Sequence, residues 1–161
     1  MAQKKERTFR FDASPDRLLA VLTDPAFQEA REKAQGAVGA VVKDVKRTAT
    51  EHVYELDTTE YAKTLTGVDR SKTEKTWSRY EWDLARMRCT WHWEGPHGKK
   101  AATWGNLRIS PAGGGSQLEA DFNIEVKVPL IGGKIEKLVI QEVDAGWVRY
   151  EKVIREWLAR T

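Results

Sequence analysis

The feature that most constrains the fold is a change of hydrophobic period near residue 130. Before it, Leu118, Ala120, Phe122, Ile124 and Val126 alternate with Gln117, Glu119, Asp121, Asn123 and Glu125. A period of two gives a strand one apolar face and one wet face. After Pro129 and the Gly132-Gly133 bend, Ile135, Leu138, Val139, Val143, Trp147, Tyr150, Val153, Ile154, Trp157 and Leu158 recur at helical spacing. A helix over about 133–160 is about 40 Å long at 1.5 Å per residue.

Upstream, residues 8–12 read as a short strand with Phe9 and Phe11 on one side. Ser14 can cap a helix that begins with Pro15 and carries Leu18, Leu19 and Leu22 as its apolar stripe. Asp24-Pro25 repeats that signal at once, so a second short helix is expected over 26–33. From Gly36 to Val128 the helical period disappears, and runs rich in Val, Thr, Tyr and Trp alternate with turn chemistry. Six strands are expected, over 37–48, 52–59, 71–83, 87–94, 100–110 and 117–128. The breaks at 49–51, 83–86, 95–98 and 111–116 read as hairpin loops. The longer break, 60–70, with Tyr61, Leu65 and Gly67, is a candidate flap.

The order is strand, two short helices, six strands, long helix. It predicts an α+β fold in which a seven-stranded curved antiparallel sheet wraps around the long C-terminal helix. With 161 residues the chain has the length of a single domain, 1–161, able to bury one continuous core.

Composition narrows the function classes. The 27 basic and 24 acidic residues are mixed along the chain, apart from the short Lys4-Lys5 and Lys99-Lys100 pairs. The clustering that nucleic-acid binding requires is missing, so no nucleic-acid partner is expected. The single cysteine, Cys89, cannot close an intramolecular disulfide, and the three histidines lack metal-ligand spacing. Neither metal nor cofactor is expected. No apolar run resembles a signal peptide or is long enough to span a bilayer. The expectation is a cytoplasmic protein without stable membrane insertion, with transient membrane contact left open.

Three segments carry a family resemblance. They are Phe9-Arg10-Phe11-Asp12-Ala13-Ser14-Pro15-Asp16-Arg17-Leu18, the Asp24-Pro25-Ala26-Phe27 step, and Val128-Pro129-Leu130-Ile131-Gly132-Gly133-Lys134-Ile135-Glu136 ahead of a helix ending in Trp157-Leu158. With the order of elements they resemble the START, birch-pollen-allergen-like and polyketide-cyclase superfamily, and within it a bacterial branch of unknown function. The resemblance implies the helix-grip fold and a pocket for lipids, sterols, polyketides or other apolar small molecules. Members of the superfamily include enzymes, carriers, sensors and assembly factors, and fold alone does not choose among them.

Six of the seven tryptophans, Trp77, Trp82, Trp91, Trp93, Trp104 and Trp147, fall in the expected wall and lid. Alternation sets Met87, Cys89, Trp91 and Trp93 on one face of their strand and Arg88, Thr90, His92 and Glu94 on the other. The candidate pocket is therefore Tyr54, Leu56, Tyr80, Trp82, Cys89, Trp91, Trp93, Trp104, Phe122, Val143, Gly146, Trp147 and Tyr150. These rings either surround an apolar small molecule or fill a core. Gly146, on the helix stripe beside Trp147, either makes room for a ligand or packs closely on the indole.

No catalytic constellation is evident. Cys89 and His92 point to opposite faces, which disfavours a nucleophilic dyad. His52 and His97 read as surface residues, and Glu55, Asp57 and the acidic side of 117–125 as solvated faces. Gly113-Gly114-Gly115 lacks the lysine and hydroxyl of a phosphate loop, and Gly132-Gly133-Lys134 reads as a chain-reversal bend. An enzyme of the cyclase, aromatase or hydrolase kind would need a polar residue inside the pocket, such as an inward Arg79, His92 or Asp121. A protein-interaction module with a filled core is the third reading.

Overall fold

Phe9 and Phe11 close β1 (Gln3–Phe11) with their rings buried, and the chain turns directly into α1 (Pro15–Leu22) and α2 (Pro25–Ala34). Both helix starts follow from the sequence. Ser14 Oγ accepts from Arg17 N at 3.2 Å and Asp24 Oδ1 from Ala26 N at 2.9 Å, each ahead of a proline whose missing N–H costs nothing there. The computed structural model describes residues 2–64, 66–96 and 100–160. Leu65 of the expected flap, and His97, Gly98 and Lys99 of the expected hairpin, lie outside the described residues.

Then come β2 (Gly39–Arg47), β3 (Glu51–Thr64), β4 (Gly67–Asp83), β5 (Arg88–Glu94), β6 (Ala101–Ala112), β7 (Gly115–Val126) and α3 (Gly132–Leu158). The strands form one antiparallel sheet in the order β1-β7-β6-β5-β4-β3-β2, with β1 joining the last strand rather than its sequence neighbour. The helix α3 packs on β7 and β1 and against α1 and α2. This is the helix-grip architecture. At its start Glu136 is buried and Oε2 accepts from Val126 N at 2.7 Å, binding α3 to the end of β7. At its end Arg17 of α1 donates to the carbonyls of Trp157 and Arg160.

Two elements differ from the sequence expectation. β1 begins at Gln3, because its charged first half pairs with β7 through backbone alone while Lys5 and Arg7 reach Asp144 and Glu151 on α3. The break expected over 60–70, the candidate flap, is largely strand. Ala62 pairs with Asp69, Lys63 with Val68 and Thr64 with Gly67, after a register shift at Tyr61. This hairpin tip is mostly exposed, so backbone pairing continues where the hydrophobic period that marks a strand has ended.

Candidate ligand site

The floor of the site is a ladder of directly opposed residues. Tyr54 on β3 faces Tyr80 on β4, Tyr80 faces Trp91 on β5, and Trp91 faces Gly105 on β6. The Tyr54 and Tyr80 rings stack at 5.2 Å, Tyr80 and Trp91 follow at 6.3 Å, and Trp91 reaches Phe122 on β7 at 5.9 Å. It reaches that far because Gly105 has no side chain. A Cβ there would stand 2.6 Å from the Trp91 ring and 2.3 Å from the Asp121 carbonyl oxygen. Two residues along, Leu107 faces the small Ala120, which keeps the floor low.

The roof comes from α3, whose Val143, Gly146, Trp147 and Tyr150 follow the i, i+3, i+4, i+7 spacing of one helix face. Arg31, Glu32 and Gln35 of α2 form the side wall. Together they enclose a partly open hollow of about 260 Å³. That is just under the range of about 300–1,000 Å³ usual for drug-sized ligands. Gln35 closes one side, its Nε2 donating to Gly146 O at 2.8 Å and its Oε1 accepting from Arg149 Nε at 2.9 Å.

The side wall brings a buried charge. Arg31 Nη1 donates to the Tyr80 hydroxyl at 2.7 Å and Nη2 to Glu32 Oε1 at 2.7 Å. Burial pushes the Tyr80 and Tyr150 hydroxyls above the usual tyrosine range, against the pull of the Arg31 charge. Both therefore stand as neutral O–H donors beside a permanent cation. Burial likewise pushes the Cys89 thiol up, which removes it as a nucleophile near neutrality.

A family model described as protein of unknown function DUF2505 matches residues 6–158. The chain belongs to that family. No curated protein matches it significantly. Among solved structures it resembles Zhui aromatase/cyclase from Streptomyces sp. R1128, 16% identical over 99% of this chain and 95% of that one, with a TM-score of 0.65. It also resembles norcoclaurine synthase from Thalictrum flavum, 12% identical over 100% of this chain and 88% of that one, with a TM-score of 0.67. A START superfamily protein from Mycobacterium smegmatis is 16% identical over 95% of this chain and 97% of that one, with a TM-score of 0.61. At such identities the likeness is one of fold, and it is the helix-grip fold that the family resemblance implies.

Within this DUF2505 chain the thirteen pocket candidates separate into three groups. Tyr80, Trp91, Phe122, Val143, Gly146, Trp147 and Tyr150 line the hollow. Tyr54, Leu56, Trp82 and Cys89 are buried in the core cluster, and Trp93 folds its ring over Gly95. Trp104 is corrected outright. Buried Thr103, Gly105 and Leu107 take the inward positions of β6, which leaves Trp104 38% exposed on the opposite face.

Trp77 is likewise on the outer face, where its ring meets His92 at 5.0 Å. Arg79 is outside as well, paired with Glu55 and Glu81, and the Asp121 carboxylate accepts from Asn106 and Asn123 there. His52 is corrected in the other direction. It is 2% exposed beneath Tyr54, with Nε2 2.8 Å from Asp44 Oδ1, because it shares the inward side of β3 with Tyr54 and Leu56.

Gly146 does not pack closely on Trp147, since a Cβ there would meet nothing closer than Gln35 Oε1 at 3.7 Å, and it lines the hollow. The sequence reading also missed Arg31, Glu32, Gln35, Gly105, Leu107 and Ala120. A signal for Arg31 existed. Phe27 and Arg31 stand four apart on one helix face, so the buried side of α2 carries a cation.

A larger depression, about 1,090 Å³, lies on the outer face of the sheet. Its walls carry charged and polar side chains in cross-strand rows, among them Asp83, Arg88, Arg108 and Glu119. Its walls mix both signs, with Arg88 directly opposite Arg108, and it faces water, conditions under which surface pairs contribute little binding energy. The smaller inner hollow is the candidate site.

Proposed function

We propose that this protein binds or carries a small, largely apolar molecule in the hollow between α3 and the floor of β4 to β7. The observation that carries the reading is the band of Tyr80, Trp91 and Phe122 beneath Trp147, with Gly105 and Ala120 holding the floor away from the helix. Aromatic walls with a few fixed polar groups are the usual make-up of a small-molecule site. At about 30 Å³ per water, the hollow matches roughly nine waters in volume, the scale of a one- or two-ring compound.

The names of two structural relatives, an aromatase/cyclase and a synthase, support a second reading as an enzyme on the same fold. Arg31, Tyr80 and Tyr150 favour it in part, because a charged donor and two hydroxyls could polarise a bound carbonyl. None of the three accepts a proton near neutrality, so binding and orientation come before proton abstraction.

Extraction of purified protein into organic solvent followed by mass spectrometry tests the leading reading. A co-purified or loaded apolar compound at one per chain is expected. In Val143→Trp, whose added bulk fills the hollow from the roof, that compound should be lost while far-UV circular dichroism is kept. If the wild type neither retains nor loads any such molecule, the reading fails.

A further inference from the structure

The polar groups of the hollow are unevenly matched. The Arg31 guanidinium has five N–H donors and no acceptor. Two of them are engaged, one by the Tyr80 hydroxyl oxygen and one by Glu32 Oε1. Tyr80 accepts that bond and keeps its own O–H, and among the described residues the Tyr150 hydroxyl forms no hydrogen bond. Both hydroxyls line the hollow. The wall thus offers several donors, while its one nearby side-chain carboxylate, Glu32, is already held by Arg31 at the rim. These donors open onto the hollow, where water or a bound molecule can pair them, and a surplus of donors is matched best by a partner rich in acceptors.

We infer that the molecule taken up by the hollow is a ring compound bearing a carboxylate or equivalent anionic oxygen group, which docks against Arg31, Tyr80 and Tyr150. The inference rests on reading the hollow as a binding site and adds the chemical class of its occupant. Three features support an anion over a neutral or cationic group. A carboxylate is an acceptor-only group whose two oxygens fit the guanidinium fork. The guanidinium stays charged although only 8% exposed, because the Tyr80 oxygen and the Glu32 carboxylate beside it more than offset desolvation. The rings that would flank the acid, Trp91, Phe122 and Trp147, present apolar faces and no acceptor, the indole N–H groups being donors only, so none of them competes with the acid for Arg31.

Isothermal titration calorimetry with three probes of matched shape tests this: 2-naphthoate, 2-methylnaphthalene and 2-naphthylmethylammonium. Wild type should bind the naphthoate at least about tenfold more tightly than either other probe, the worth of one charged hydrogen bond. In Arg31→Met the advantage should fall to less than about threefold, with methylnaphthalene unchanged. Should Arg31→Met fail to fold, Glu32→Gln serves instead. It removes the carboxylate that competes for Nη2, so naphthoate affinity should rise by about tenfold while methylnaphthalene stays level. Equal binding of all three probes would overturn the anion assignment and leave the hollow as an apolar site. Preference for the ammonium would overturn it in favour of Glu32 as the recognising group. Binding of none of them would remove the pocket reading and this inference with it.

Discussion

At the α1–α2 end of the interior, Leu18, Phe27, Leu56 and Ile154 have no exposure at all, and Trp82 lies beneath Tyr54. At the other end Trp91, Phe122 and Trp147 are only half-buried around the hollow. Both ends are aromatic, so ring content does not separate a core from a site. The pairing of donors does. The Tyr54 hydroxyl accepts from Gln28 Nε2 at 2.9 Å and Trp82 Nε1 at 3.3 Å and donates to Leu22 O at 3.3 Å, which uses its full capacity. The Tyr80 and Tyr150 hydroxyls retain donors. The packed end pairs its donors internally and leaves Gln28 Oε1 as a buried acceptor without a partner, whereas the hollow end presents donors to an open space.

The comparison breaks most visibly by truncating a ring at each end. Trp82→Ala should lose about 3–5 kcal/mol in urea denaturation, as a fully buried indole leaves a cavity and unpairs the Tyr54 network. Trp147→Ala, at the half-buried roof, should lose less than half as much. Equal losses would mean that the two ends form one continuous packed core.

Alkaline pH provides the next test. Burial raises Tyr54, Tyr80 and Tyr150 above the ordinary tyrosine value of about 10. Below that pH the folded and unfolded chains hold the same phenolic protons, so these groups impose no pH dependence. Above it the unfolded chain releases protons that the folded chain retains, and stability falls as pH rises. The three together should lower it by up to about 2.5 kcal/mol at pH 10.5. Denaturation midpoints between pH 8 and 11, followed alongside phenolate absorbance, would reveal this, and a flat profile would contradict the burial of these hydroxyls.

The smallest effect should be a gain. Gly146→Ala adds a methyl group in ordinary contact distance of Gln35 and removes a helix-interior glycine, so stability should rise by up to about 1 kcal/mol. Since that methyl group borders the hollow, probe affinity should shift only slightly. A clear drop in stability would show that the Gln35 bond to the Gly146 carbonyl has no room to adjust.

Much of the frame was legible because its signals are local. Ser14, Pro15, Asp24 and Pro25 start their helices through contacts within three residues. The alternation of 117–126 sets the facing of β7 whatever lies opposite. Local signals failed where pairing is carried by backbone, as in the charged start of β1 and the hairpin over 60–70. Trp104 failed for another reason: an indole reads as interior material by type, while its parity beside Thr103 and Gly105 puts it in water.

By itself, then, the sequence determined the order of elements, their caps and the inward side of most strands, since these depend on periods of two and 3.6 and on neighbouring residues. Only the tertiary structure decided that Gly105 sits under Trp91 and that Arg31 meets Tyr80, 49 positions away. A period tells which way a side chain faces. The gap it faces into is set by how distant elements cross, and that gap distinguishes a filled core from a site.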